Sequence, residues 1–395
     1  MLFSGSLKLS VNKSMNILIA PDSFKESLSA SAVAQAIRSG FAEIFPDANY
    51  VCLPMADGGE GTTASLVAAT KGELYTSEVM GPLGEKVTAS WGILGNQHSA
   101  IIETAEAGGL HLVPKCRRNP LLTTSFGTGE LIKAALDHGV KHIILGLGGS
   151  ATNDAGAGLL QALGAKLLDR DKQPLSVGGG GLSELHSIDI SELDPRLAGV
   201  KFAAACDVNN PLTGPAGASY TYAVQKGATP EMVAQLDKNL AHFAEIIFQT
   251  NGCSVSQVSG AGAAGGIGAV LLAFFNAELK PGIEIVLDAV DINRYLATTD
   301  LLITGEGRID SQSIYGKTPV GVARRAKDFD CQVLAIAGCV SDDADVVYEE
   351  GIDAMFSIVR GVVSLESALA DAEVNLQHCA RNIAKVWLLG AQIRR

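Results

Sequence analysis

The 395-residue chain sets 30 Lys and Arg against 42 Asp and Glu, a formal net charge of −12, and is 47% hydrophobic but only 18% charged. That composition excludes a disordered chain, and an acidic balance without a basic run argues against nucleic acid or an anionic membrane as the main partner. The length suits two or three domains, and 44 glycines, about 11% against roughly 7% in average usage, call for loops with unusual backbone angles or close approach to something.

Taken in order, short apolar runs alternate with helical patterns, the βαβ signature of a largely parallel sheet. Asn16–Ala20 reads as a strand followed by Pro21-Asp22-Ser23-Phe24-Lys25, then a helix that ends near Gly40. Tyr50–Met55 is a second strand, leading through Asp57-Gly58-Gly59-Glu60-Gly61 into a helix over about 62–69. Val79–Leu94, with its Gly-Pro-Leu-Gly turn, and Ala100–Glu103 read as short antiparallel strands. A helix near 128–137 and buried strands at Lys141–Leu145 and Phe202–Ala205 follow. Alternation returns at Leu301–Thr304, Gln332–Ala337 and Ala354–Ile358, and apolar residues from Leu365 to Trp387 predict one amphipathic helix. The reading divides the chain into a doubly wound domain of 15–64 with 288–392 and an inserted α/β domain of 65–287.

Seven scattered cysteines without a Cys-x-x-Cys pair predict free thiols in a reducing compartment, and the longest apolar run, Ala269–Phe275, is far short of a membrane span. Residues 1–14 lack the core and cleavage site of a signal peptide and read as a flexible extension, with Met15 an alternative start. A cytoplasmic protein is expected, its oligomeric state open.

Five loops at strand ends share carboxylates, hydroxyls, amides and glycine: those at Asp22, at Asp57, at 146–156, at Asp207-Val208-Asn209-Asn210 and at Thr304-Gly305-Glu306-Gly307-Arg308. Open α/β sheets bind ligands at the carboxyl ends of strands. Gly146-x-Gly148-x-x-Ala151 fits a dinucleotide fingerprint with Asp169 as the ribose acid, so a nicotinamide-dependent hydroxy-acid oxidoreductase is one reading. Against it, Ser150, Thr152, Asn153 and Asp154 are expected at the start of the next helix, where hydroxyl, amide and carboxylate suit a magnesium–nucleotide site. Ser150 and Asp154 would serve equally as helix caps. A second match, Gly260-x-Gly262-x-x-Gly265, lacks a good preceding strand and is expected to let a helix start close to another backbone. There is no Walker A motif, nucleophile elbow or His-Glu-x-x-His. What remains is acid-rich chemistry with Lys25 and Arg308 as cations, the pattern of phosphoryl transfer. A non-catalytic ligand sensor on the same fold is the third reading.

Together, Ile-Ala-Pro-Asp22-Ser-Phe-Lys25, Met-Ala-Asp57-Gly-Gly-Glu-Gly, Gly-Leu-Gly-Gly-Ser150-Ala-Thr-Asn-Asp154, Cys-Asp207-Val-Asn-Asn-Pro-Leu and Thr-Gly-Glu306-Gly-Arg-Ile-Asp310 resemble the bacterial glycerate kinases of the two-domain type, from about Met15 to the C-terminus. The resemblance implies ATP-dependent phosphorylation of D-glycerate, usually at the 2-hydroxyl, in the breakdown of glyoxylate or sugar diacids. It also implies a Rossmann- or flavodoxin-like domain paired with a second α/β domain across a cleft. On that basis Asp207 is expected to be the general base, and Lys25 and Arg308 to meet the substrate carboxylate or transferring phosphate. Asp57, Glu60, Glu306 and Asp310 are candidates for holding Mg2+, and Gly148, Gly149, Ser150, Thr152 and Asn153 for facing the nucleotide phosphates.

Overall fold

A computed structural model describes residues 14–59 and 61–393. Glu60 and, apart from Ser14, the expected N-terminal extension lie outside the described residues. The chain forms two compact units, one drawn from the residues up to Pro54 together with those from Asp291 onward, the other Met55–Val290. The sequence reading drew these joints at 64/65 and 287/288.

The first unit is built on a five-stranded parallel sheet in the order Ala354–Ser357, Gln332–Ala337, Leu301–Thr304, Asn16–Ile19, Asn49–Cys52. The three central strands are buried along nearly their whole length, as expected of continuous apolar runs covered by helices on both faces. From Asn16–Ile19 the chain winds one way to Asn49–Cys52, and from Leu301–Thr304 the other way to the far edge. The order therefore reverses between Leu301–Thr304 and Asn16–Ile19. Helix Ala30–Ala42 starts where Ser29 Oγ accepts from Ala32 N at 3.3 Å, and its Val33, Ile37 and Phe41 pack with Leu376 and Ala380 of the C-terminal helix.

That C-terminal segment departs from expectation. It is two helices, Leu365–Ala370 and Ala372–Ile393, parted at Asp371. Leu365 at the start of the apolar series is exposed, so only the part from Ala372 onward packs on the core. Seven apolar residues at helical spacing do not reveal a one-residue break, because the spacing survives it.

The second unit holds a six-stranded mixed sheet in the order Glu278–Lys280, Lys201–Ala205, His142–Gly146, Ser99–Glu103, Lys86–Ile93, Glu73–Met80. The first four strands are parallel, and the last two form an antiparallel hairpin whose inner strand also pairs antiparallel with Ser99–Glu103. Register places Glu103, Gly146 and Ala205 side by side at the carboxyl ends of three adjacent parallel strands. The loops that leave these residues therefore emerge together, and this positions the site.

Candidate active site

Glu103, unremarked in the sequence, anchors the first loop. Its carboxylate accepts from Thr63 N at 2.7 Å and Gly61 N at 3.2 Å, at the N-terminus of helix Thr62–Thr70. Burial raises its proton affinity above the usual carboxylate range although both amide bonds oppose this. The bonds hold the Asp57-Gly58-Gly59 turn over the strand ends, and Asp57 Oδ1 closes that turn by accepting from Gly59 N at 3.1 Å.

Asp207 stands two residues beyond the end of Lys201–Ala205, where Oδ1 accepts from Gly282 N at 2.9 Å. The residue as a whole is exposed, yet its carboxyl, held against the Gly282 amide, is partly withdrawn from water. That withdrawal, with the nearby Asp57 charge adding to it, lifts its pKa to about 6 against the pull of the Gly282 amide.

The loop after His142–Gly146 corrects one expectation. Helix Ala157–Ala162 begins only at Ala157, so residues 150–154 are irregular backbone and not a helix N-terminus. Ala155 and Gly156 both adopt positive φ, which delays the helix. Asp154 is fully buried and accepts from Ser125 N and Oγ, both at 2.8 Å, from Gly156 N at 3.1 Å and from Gly158 N at 3.3 Å. It caps and ties the loop from inside. Thr152 and Asn153 are buried too: Asn153 Nδ2 donates to Ser219 Oγ at 3.0 Å, and Thr152 Oγ1 lies 3.4 Å from the Ala264 carbonyl. The second glycine run serves the same packing, with Ala155 N donating to the Gly265 carbonyl at 3.0 Å.

Residues Leu147, Gly148, Gly149 and Ser150 are therefore the part of this loop that lines a cavity of about 390 Å³, together with Gly58, Asp207 and Lys226. That volume is in the range of small-ligand sites. Gly149 has φ +71°, a left-handed conformation that a residue with a Cβ adopts only with strain. Lys226, also unremarked in the sequence, is 3% exposed and donates to Ser150 Oγ at 3.0 Å and to the Thr152 carbonyl at 2.7 Å. Burial drops its pKa to about 7, with the Asp154 charge partly opposing the fall.

Lys25, Glu306, Arg308 and Asp310 belong to the first unit, at the carboxyl ends of the two strands between which the sheet order reverses, the position where open α/β sheets take ligands. A Cβ on Gly307 would come within 3.4 Å of Lys25 N, so the two loops are neighbours. Asp22 Oδ2 accepts from Thr318 Oγ1 at 2.8 Å. Lys25 is exposed. Arg308 Nε donates to Ser341 Oγ at 3.0 Å and lies 3.5 Å from Asp310 Oδ2. Lys317 bridges Glu306 at 3.7 Å and Asp310 at 3.5 Å, and Asp310 also caps the short helix Ser311–Ile314. These two acids are thus already countered by cations, whereas Asp57 stands with Asp207 in the second unit. Among the described residues no three His, Cys, Asp or Glu form a metal-holding group. Asp169, the residue expected to meet a ribose in the nicotinamide reading, closes a turn by accepting from Asp171 N and Gln173 N, a local structural job.

Comparison with known proteins agrees with the loop chemistry. The model of the glycerate kinase family matches residues 17–388. A glycerate kinase of Haemophilus influenzae is 57% identical over 94% of this chain and 98% of its own length. A glycerate 2-kinase of Escherichia coli K12 is 55% identical over 95% and 99%. A crystal structure of a Salmonella typhimurium LT2 protein assigned as glycerate kinase 2 superposes with a TM-score of 0.90 at 53% identity, covering 96% of this chain and all of that one. The nicotinamide and sensor readings give way to this agreement: the chain belongs to the glycerate kinase family, phosphotransferases that use an alcohol group as acceptor.

Proposed function

We propose that this kinase moves the γ-phosphoryl group of ATP to the 2-hydroxyl of D-glycerate, with Asp207 as general base. The observation that carries the reading is the Asp207 carboxyl, fixed by the Gly282 amide in the same cavity as the Gly148-Gly149-Ser150 backbone. Asp207 takes the hydroxyl proton as the glycerate oxygen bonds to the γ-phosphorus, the bond to the β–γ bridging oxygen breaks, and ADP leaves. A carboxylate with a pKa lifted to about 6 is still ionised at neutral pH and is a better proton acceptor than an ordinary aspartate.

The loop amides meet the nucleotide phosphates, as glycine-rich backbone does elsewhere. Lys25 and Arg308 keep their assignment to an anionic group of the substrates. Magnesium bound with the nucleotide would supply charge neutralisation. Asp57 is the acid suited to hold it, since a hard cation there would relieve the repulsion between neighbouring carboxylates that raises the Asp207 pKa. The seven cysteines are all free, which suits the reducing cytoplasm. Among the described residues no helix is long and apolar enough to cross a membrane.

The test is ADP formation with ATP, Mg2+ and each candidate acceptor. D-glycerate should stimulate it well above L-glycerate and D-lactate, which keeps the 2-hydroxyl but lacks the 3-hydroxyl. Equal rates with and without D-glycerate would remove the proposal.

A further inference from the structure

Lys226 is the buried group that the base and loop assignments above leave without a task. It lies in the turn after the short helix Ala218–Tyr222 and is nearly sealed from solvent, yet it lines the cavity that Gly148, Gly149 and Asp207 share. Its two acceptors, Ser150 Oγ and the Thr152 carbonyl, are both neutral. It makes no ion pair among the described residues, and the opposing charge that acts on it is Asp154, whose carboxylate is already taken by four donors. Burying an ammonium among neutral acceptors is unfavourable unless something else brings negative charge. An ammonium also has three donors, of which these contacts use two.

Lysine at this place is not needed merely to tie the loop. Asn153 bonded to Ser219 already joins the loop to the same short helix, and Asp154 braces it from within. A neutral donor would have served Ser150 and Thr152 at less desolvation cost.

We propose that Lys226 is the phosphate-binding cation of the nucleotide site, reaching the polyphosphate of ATP from the floor of the cavity while its bonds to Ser150 and Thr152 shape the glycine loop around the same group. The proposal rests on the nucleotide reading of the cavity and adds the residue that supplies the charge. Backbone amides of the loop and one compact ammonium would then share the phosphates, the division of labour expected when a chain of net charge −12 must hold a polyanion.

Titration of the intact protein with ADP, with inorganic tripolyphosphate and with adenosine tests this without relying on turnover. Lys226→Met should weaken ADP and tripolyphosphate about tenfold or more and leave adenosine within about twofold. Lys226→Arg should restore a large part of the loss, since it returns the charge. Unchanged ADP affinity in Lys226→Met would overturn the proposal. So would a loss of ADP and adenosine alike that Lys226→Arg fails to repair, because that marks a loop scaffold. If the wild type binds ADP but ignores D-glycerate, only the acceptor reading falls; if it binds no ADP, the nucleotide reading and this inference fall together.

Discussion

Asp207 accepts a hydrogen bond from Gly282 N at 2.9 Å, and Gly282 lies so close to the Asp57 loop that a Cβ on it would meet the Asp57 carbonyl oxygen at 2.0 Å. One glycine thus fixes the orientation of one carboxylate and brings the backbone of a second acid beside it. The proximity has an electrostatic result, since the Asp57 charge adds to burial in holding the Asp207 proton.

Replacing Asp207 by Asn keeps the shape and removes the base. Turnover with ATP and D-glycerate should fall about 10²–10⁴-fold, with the melting temperature held. Steady-state ADP formation beside a thermal melt measures both, and near-normal turnover in the folded variant would rule Asp207 out as the base.

The pH profile should carry the same signature. A base accepts a proton only when ionised, so kcat/KM for ATP should climb as pH rises through about 6, and it should fall again above about 7 as the Lys226 ammonium of the free enzyme loses its proton. In the protein without Mg2+, Asp57→Asn removes a charge that raises the Asp207 pKa, so the titration of the Asp207 carboxyl, followed by NMR, should move to lower pH. A titration that stays put would mean the two carboxylates are not coupled as described.

Gly149→Val places a β-branched side chain at φ +71°. Strain of roughly 1–2 kcal/mol should distort the loop and raise the KM for ATP about 5–30-fold, with the KM for D-glycerate little changed. Varying each substrate in turn separates the two. Unchanged KM for ATP would detach this loop from the nucleotide.

Much of the fold was legible because the buried parallel strands are short, apolar and bounded by glycine-rich turns. Leu301–Thr304 and Gln332–Ala337 match their expected ranges, Lys201–Ala205 starts one residue earlier than expected, and His142–Gly146 is shifted by one residue at both ends. Asp207 and Gly149 were visible because their loops announce themselves. The rest was hidden for physical reasons. Lys226 sits in Tyr222-Ala-Val-Gln225-Lys226, where nothing local distinguishes a buried lysine from a solvated one, and only tertiary packing seals it. Glu103 ends an apolar strand, a weak signal whose meaning depends on a helix 40 residues earlier. Thr152, Asn153 and Asp154 have the chemistry of a ligand site, but two left-handed residues, Ala155 and Gly156, turn the loop so that they brace it from inside.

The most direct test of the whole account is proton-coupled phosphorus NMR of the product made from D-glycerate, ATP and Mg2+. A phosphate on the C2 oxygen faces one carbon-bound proton, so the account predicts a new phosphomonoester doublet that grows as ADP appears. A triplet, from the two protons on C3, would contradict the assignment of the 2-hydroxyl, and no new phosphomonoester resonance would contradict the transfer itself.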